Sequence, residues 1–324
     1  MSYNLIVFPG LGISVDPSPV AFTLFSKPIY WYGIIIAAGF CLAVCYALRK
    51  CTAEGIKEDD LLDVVIITTP IAIIGARAYY VIFNLSSYSS FADMLKIWEG
   101  GLAIYGGVIA AAAAAFICCR VKKLSFLKVL DLTMLGFMIG QCIGRWGNFF
   151  NREAYGGLYD GLLRMEIALR GDMTDAAGNI VAFAGERAAV HPTFLYESVW
   201  NLVGFVLISS YRKRHKKFDG ETTLMYFLWY GVGRAFIEGL RADSLYLMST
   251  GIRTSQLVAV ITAVLSLAAL IYMYVKKPYL NGGCAADGTA GETAAADAAS
   301  AAGSADGPAP EAETDEERKA EEKK

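Results

Sequence analysis

Apolar residues fall into seven runs of roughly 20, the length that crosses a hydrocarbon core about 30 Å thick. The runs cover about 29–48, 61–83, 101–119, 128–150, 192–211, 222–240 and 254–275. This pattern predicts an all-α integral membrane protein of about seven transmembrane helices within a 29–279 domain. Pro70 predicts a kink in the second run, and the Gly-Gly and poly-Ala content of the third suits close helix packing. Residues 1–28, with FPGLG, Asp16, Pro17, Pro19 and Pro28, read as an ordered or interfacial extracytoplasmic segment. Residues 151–190 are polar and Gly-bearing, too long for a tight turn, and read as a small extracytoplasmic head insert. From 280 to 324 the chain is Ala, Gly, Asp, Glu and Lys with almost no bulky apolar residue, which predicts a disordered cytoplasmic tail.

Basic residues orient the runs. Arg49 and Lys50 follow the first, Arg120, Lys122 and Lys123 the third, RKRHKK (212–217) the fifth, and Lys276 and Lys277 the seventh. Such clusters mark cytoplasmic loops. The N-terminus, the 84–100 loop, the 151–190 insert and the 241–253 loop are then outside, and the C-terminus is cytoplasmic. Composition agrees, since 55% hydrophobic residues and a mean hydropathy of +0.43 are too apolar for an ordinary soluble domain. The net charge of −2 adds little, because the acidic tail masks the basic loops, and no nucleic-acid partner is indicated. Seven cysteines, mostly inside apolar runs, have neither metal-ligand spacing nor a disulfide pattern and read as small core hydrophobes. No cleavable signal peptide is expected, because Pro, Gly and Asp stand where its apolar stretch would be.

Orientation converts sequence position into depth at about 1.5 Å per residue. Arg145 then lies roughly 25 Å above the cytoplasmic end of its run, Arg234 roughly 18 Å and Glu238 roughly 24 Å above theirs. Arg77 reaches a similar height, and Tyr32, Tyr105 and His191 start descending runs at the outer side. Six segments therefore aim polar groups at one level. The stretch GRWGNFFNREAYGG (144–157) adds Asn148, Asn151, Arg152 and Glu153 there. Tyr230, Arg234 and Glu238 share one helix face at i, i+4 and i+8, and Arg241 and Asp243 extend the set. Arg77, Arg145, Arg234 and Arg241 outnumber Glu153 and Glu238, so the expected pocket is cationic and suits bidentate phosphate binding. Single members have plainer readings: a snorkelling arginine, a packing ion pair, a proline at a helix start after His191, an interfacial aromatic belt around Trp31 and Tyr32.

Residues 144–156 match every fixed position of G-R-x-[GA]-N-F-x-N-x-E-x-x-G, and WYG (31–33), HPTFLYE (191–197) and YGVGRAFIEGLR (230–241) follow suit in order. In these blocks the chain, from about 29 to 275, resembles the bacterial prolipoprotein diacylglyceryl transferase family. The resemblance implies a plasma-membrane transferase facing the outer leaflet. It would move the diacylglyceryl group of phosphatidylglycerol onto the lipobox cysteine of a preprolipoprotein signal peptide, releasing glycerol phosphate, with no cofactor and no metal. Position by position, Arg145 and Arg234 would hold the phosphate and stabilise the leaving group. Asn148, Glu153, Tyr230, Glu238 and Gly156 would shape the pocket, and Tyr32 would help bind lipid. Arg77, Asn151, His191 and Arg241 are counted with the substrate-binding set.

Many family members carry a histidine where this chain has Tyr105, and only two histidines are present, His191 and His215. Tyr105 is expected either to act in proton transfer, or to orient substrate while the cationic pocket lowers the thiol pKa or Glu153 or Glu238 takes the thiol proton. An anion or lipid transporter would also want intramembrane arginines, but the internal repeats common in that class are not found. A non-catalytic membrane scaffold, its arginines only fixing helix packing, is the third reading.

Overall fold

A computed structural model describes residues 4–88, 90–174, 179–242 and 253–276. The expected disordered tail (280–324) and Asp243 lie outside the described residues.

The apolar runs form long helices: α1 (Trp31–Cys51), α2 (Glu58–Phe83), α4 (Ile104–Val121), α5 (Phe126–Asn151), α6 (Thr193–His215), α7 (Glu221–Glu238) and α8 (Thr254–Lys276). One short helix, α3 (Phe91–Met94), lies between α2 and α4. Among the described residues, five helices are long and apolar enough to cross a membrane: α1, α2, α4, α5 and α8. The count is below the seven expected because Glu197 and Asn201 interrupt α6, and Glu221, Arg234 and Glu238 interrupt α7. The outward faces are themselves apolar: Ile74 is 67% exposed, Ile117 62% and Leu265 65%. Surface of that kind belongs against lipid rather than water, so the chain is a multi-pass membrane protein.

Small residues set the helix contacts. α2 meets α4 so closely that a Cβ on Gly75 would lie 2.2 Å from the Ala110 Cβ. Pro70 is accommodated inside α2. At one end of the bundle, Asp131 of α5 is fully buried and accepts from the Gly220 and Thr223 N–H groups, both at 2.9 Å. Arg212 and Lys216 of the basic 212–217 stretch pair with Glu54 there, each at 2.7 Å.

The all-α expectation needs correcting. Strands β1 (Ile6–Phe8), β2 (Ile13–Val15), β5 (Met165–Ala168) and β8 (Arg187–Val190) form an antiparallel sheet in the order β2-β1-β5-β8. Two hairpins join β3 (Val20–Leu24) to β4 (Lys27–Tyr30), and β6 (Met173–Thr174) to β7 (Ile180–Ala182). The N-terminal segment and the 151–190 insert, read separately from the sequence, thus share one sheet. Ile6, Phe8, Met165, Ile167 and Val190 pack on Phe149 and Phe194, which seats that sheet over the end of α5 and the start of α6.

Candidate active site

The helix α5 ends inside the 144–157 stretch, and the way it ends builds the site. Arg152 and Ala154 take left-handed backbone angles (φ 48° and 55°). That conformation costs on the order of 1–3 kcal/mol per non-glycine residue and persists where the surroundings over-determine it. Here the Glu153 N–H donates to the Asn148 carbonyl at 3.1 Å and the Thr193 hydroxyl to the Ala154 carbonyl at 2.5 Å. Gly156 donates to the His191 carbonyl at 2.9 Å, and Gly157 to that of Leu240 at 2.8 Å. Main-chain bonds therefore staple the ends of α5 and α7 to the start of α6.

This brings the charged groups together. Glu197 of α6, its side chain only 5% exposed, joins three arginines from two other segments. Its Oε2 lies 2.5 Å from Arg145 Nη2, and its Oε1 lies 2.9 Å from Arg234 Nη1 and 3.8 Å from Arg241 Nη1. The other arm of Arg234 pairs with Glu238 at 2.6 Å. Arg145 donates to Asn148 Oδ1 at 3.3 Å, and the Asn148 and Asn151 amides donate to Glu153 Oε1 at 3.0 and 3.3 Å. The Arg253 guanidinium donates to the Glu238 carbonyl.

The other expected residues divide. The Tyr32 ring lies over Gly147, where an added Cβ would be 2.7 Å from Tyr32 Cδ2, within electrostatic reach of Glu153 and Arg145. Tyr230 stacks on Tyr226 at 5.8 Å, one turn before Arg234. The His191 ring stacks on Tyr159 at 4.0 Å and hydrogen-bonds the Tyr196 hydroxyl at 3.4 Å, so two tyrosines hold it. Burial pushes its pKa below the usual histidine value, which favours the neutral ring. Tyr105, in the first turn of α4, is 54% exposed and has no hydrogen-bond partner among the described residues.

Arg77 is not brought into the cluster. Its guanidinium donates to the carbonyls of Asp93 (3.0 Å), Met94 (2.8 Å), Gly100 (2.6 Å) and Gly101 (3.1 Å), and it lies over the Tyr88 ring. Carbonyls in an irregular loop need donors, and Arg77 supplies them. Glu197 and Arg253 were not singled out from the sequence. Glu197 could have been, since it lies six residues, or about 9 Å, inward of His191 at the depth of the arginines. With these changes Arg145, Arg234 and Arg241 face the carboxylates of Glu197 and Glu238, Arg253 bonds the Glu238 main-chain carbonyl, and Glu153 joins the set through Asn148. Much of the expected positive charge is already matched.

A family model described as prolipoprotein diacylglyceryl transferase matches residues 19–272. Proteins named phosphatidylglycerol–prolipoprotein diacylglyceryl transferase are similar over most of the chain. That of Lysinibacillus sphaericus is 42% identical over 266 residues, covering 82% of this chain and 95% of the relative. That of Finegoldia magna is 42% identical over 263 residues, covering 81% and 97%. That of Streptococcus equi subsp. zooepidemicus is 40% identical over 263 residues, covering 80% and 96%. Carrying the family's motif at the end of α5 and matched along most of its length, the chain belongs to the prolipoprotein diacylglyceryl transferase family.

Proposed function

We propose that this protein transfers the diacylglyceryl group of phosphatidylglycerol to the lipobox cysteine of a preprolipoprotein. The substrate thiol gives up its proton to Glu153 or Glu238, and the sulfur attacks the diacylglyceryl carbon that carries the phosphate. A carbon–sulfur bond forms, the carbon–oxygen bond breaks, and the electron pair leaves with glycerol phosphate. The observation that carries the reading is the Glu197 carboxylate held between Arg145 and Arg234. Its two oxygens occupy positions that two phosphate oxygens could take, so the guanidiniums already converge on an anion. Arg145 and Arg234 would receive the phosphate in its place and stabilise the charge that develops on the leaving oxygen, where low dielectric makes fixed donors effective. Arg241 would neutralise the displaced carboxylate. Glu153, Asn148 and Asn151 would fix Arg145, Glu238 and Tyr230 would orient Arg234, and Tyr32 would line the lipid's approach. His191 and Gly156 would hold the outer staple. The transporter alternative is set aside, because relatives covering four-fifths of the chain are named as transferases.

The same reading sets α6 and α7 in the membrane as sixth and seventh crossing helices. It places the N-terminus and the 151–190 head outside, the C-terminus in the cytoplasm, and the site toward the outer leaflet. Basic residues at alternate helix ends support it. The test is transfer from labelled phosphatidylglycerol to a lipobox peptide by the purified protein. Well-folded protein that binds both substrates and yields no thioether would overturn it.

Two further outcomes are expected from that assay. A Cβ on Gly156 would lie 2.5 Å from the His191 Cβ and 2.7 Å from the Leu240 carbonyl oxygen, neither the end of a flexible side chain. Gly156→Ala should therefore pry the staple apart and slow transfer by about 10²-fold, as small displacements of catalytic groups do, with a lower melting temperature. Among the described residues the Tyr105 hydroxyl has no hydrogen-bond partner, which suits orienting substrate. Tyr105→Phe should keep kcat within about threefold of wild type, with any loss in KM. A collapse of kcat in a folded variant would return the hydroxyl to the proton-transfer step.

A further inference from the structure

A cavity of about 360 Å³ opens beside the motif at the end of α5. Arg152, Glu153, Tyr155, Arg170 and Asp172 line it, together with Ala242, the residue after Arg241. Two of these residues connect it to the arginine cluster. Glu153 accepts from Asn148, which accepts from Arg145, and the Ala242 N–H donates to the Tyr155 carbonyl at 3.4 Å just after Arg241. Arg170 donates to the Asn151 carbonyl at 3.0 Å, so its part of the lining is tied to α5 as well. The walls carry charges of both signs. A second cavity, of about 410 Å³ around Trp200 and Trp229, has almost wholly apolar walls and so suits hydrocarbon.

We propose that the charged cavity receives the stretch of substrate polypeptide that immediately follows the modified cysteine. The inference rests on the transferase reading above. A polypeptide whose sulfur reacts at the arginine cluster must continue away from it into water, and this cavity adjoins the cluster. A peptide offers N–H donors, carbonyl acceptors and side chains of either charge, which guanidinium and carboxylate walls recognise together. The volume falls in the usual range for ligand pockets, about 300–1,000 Å³, and is roomier than a lone glycerol headgroup requires. The occupant is therefore the peptide rather than the lipid headgroup.

Gly171 gives a direct test, because it lines the cavity and an added Cβ there meets no atom within 4 Å. In lipid nanodiscs containing phosphatidylglycerol, full-length Gly171→Trp should raise KM for a lipobox peptide about tenfold, with kcat and KM for the lipid within about twofold of wild type. A rise in lipid KM alone would assign the cavity to the headgroup, and unchanged constants would leave it without a substrate role; either result overturns the proposal. A second measurement does not depend on turnover or on that variant folding. A lipobox peptide with serine in place of cysteine and a photoreactive residue two positions later is crosslinked to the wild-type protein. Labelling within 152–155 or 170–173 supports the proposal, and labelling confined elsewhere sinks it. Wild-type transfer to the ordinary peptide tests the underlying reading separately, so the two failures are distinguishable.

Discussion

Arg234→Ala is expected to lower diacylglyceryl transfer by about 10²–10³-fold, the usual cost of deleting one donor aimed at developing charge. Arg234 spans two carboxylates, with one arm 2.9 Å from Glu197 and the other 2.6 Å from Glu238, and its side chain is only 15% exposed. Alanine removes the fork and deprives Glu238, 2% exposed, of a guanidinium at 2.6 Å. Arg145→Ala should fall as far, since Arg145 is the other guanidinium closing on Glu197. Lysine is the informative control at 234. It keeps the charge but offers a point donor where a planar fork bridges two partners, so Arg234→Lys should recover only part of the loss. Transfer rates read beside melting temperatures separate lost chemistry from lost folding. Near-wild-type turnover in a folded Arg234→Ala would move the reaction centre elsewhere.

What could be learned from the sequence follows from how far each signal extends. Runs of 20 apolar residues are long-range patterns, and the helices begin and end within a few residues of where those runs do. Strands of two to five residues cannot display an alternation, so the sheet joining β1 to β5 and β8 was invisible, and with it the seat of the head on Phe149 and Phe194. Depth arithmetic placed Arg145, Arg234 and Glu238 on one level, and the structure brings them together. The same arithmetic failed for Arg77, because height along a helix does not say which way a side chain turns. The carbonyls of residues 93–101 claim it. Glu197 stands in the 191–197 block, but the excess of arginines over nearby acids in the sequence points to a cationic pocket. A low-dielectric interior makes the opposite expectation sounder: convergent buried arginines require a carboxylate among them. The acid to look for was one on a neighbouring helix at the same depth.

That carboxylate gives the second large effect. Removing one partner from a buried ion pair costs about 3–5 kcal/mol, because the remaining charge is left uncompensated. Glu197 serves Arg145 and Arg234 at close range and Arg241 at 3.8 Å, so Glu197→Ala should destabilise the empty protein by at least about that much. Glu197→Gln is the sharper variant. It preserves shape, but it substitutes an N–H donor where a guanidinium already donates. Its melting temperature should fall several degrees, and turnover should drop on the order of tenfold or more as the arginines lose their fixed aim. The mark of a carboxylate standing in for phosphate is what an added anion does. Glycerol phosphate, binding the folded state alone, stabilises it in proportion to occupancy. It should raise the melting temperature of Glu197→Gln more than that of wild type, where Glu197 competes for the same guanidiniums. Equal shifts in both proteins would mean that Glu197 and the phosphate do not share a place, and that the acid only packs α6 against α5 and α7.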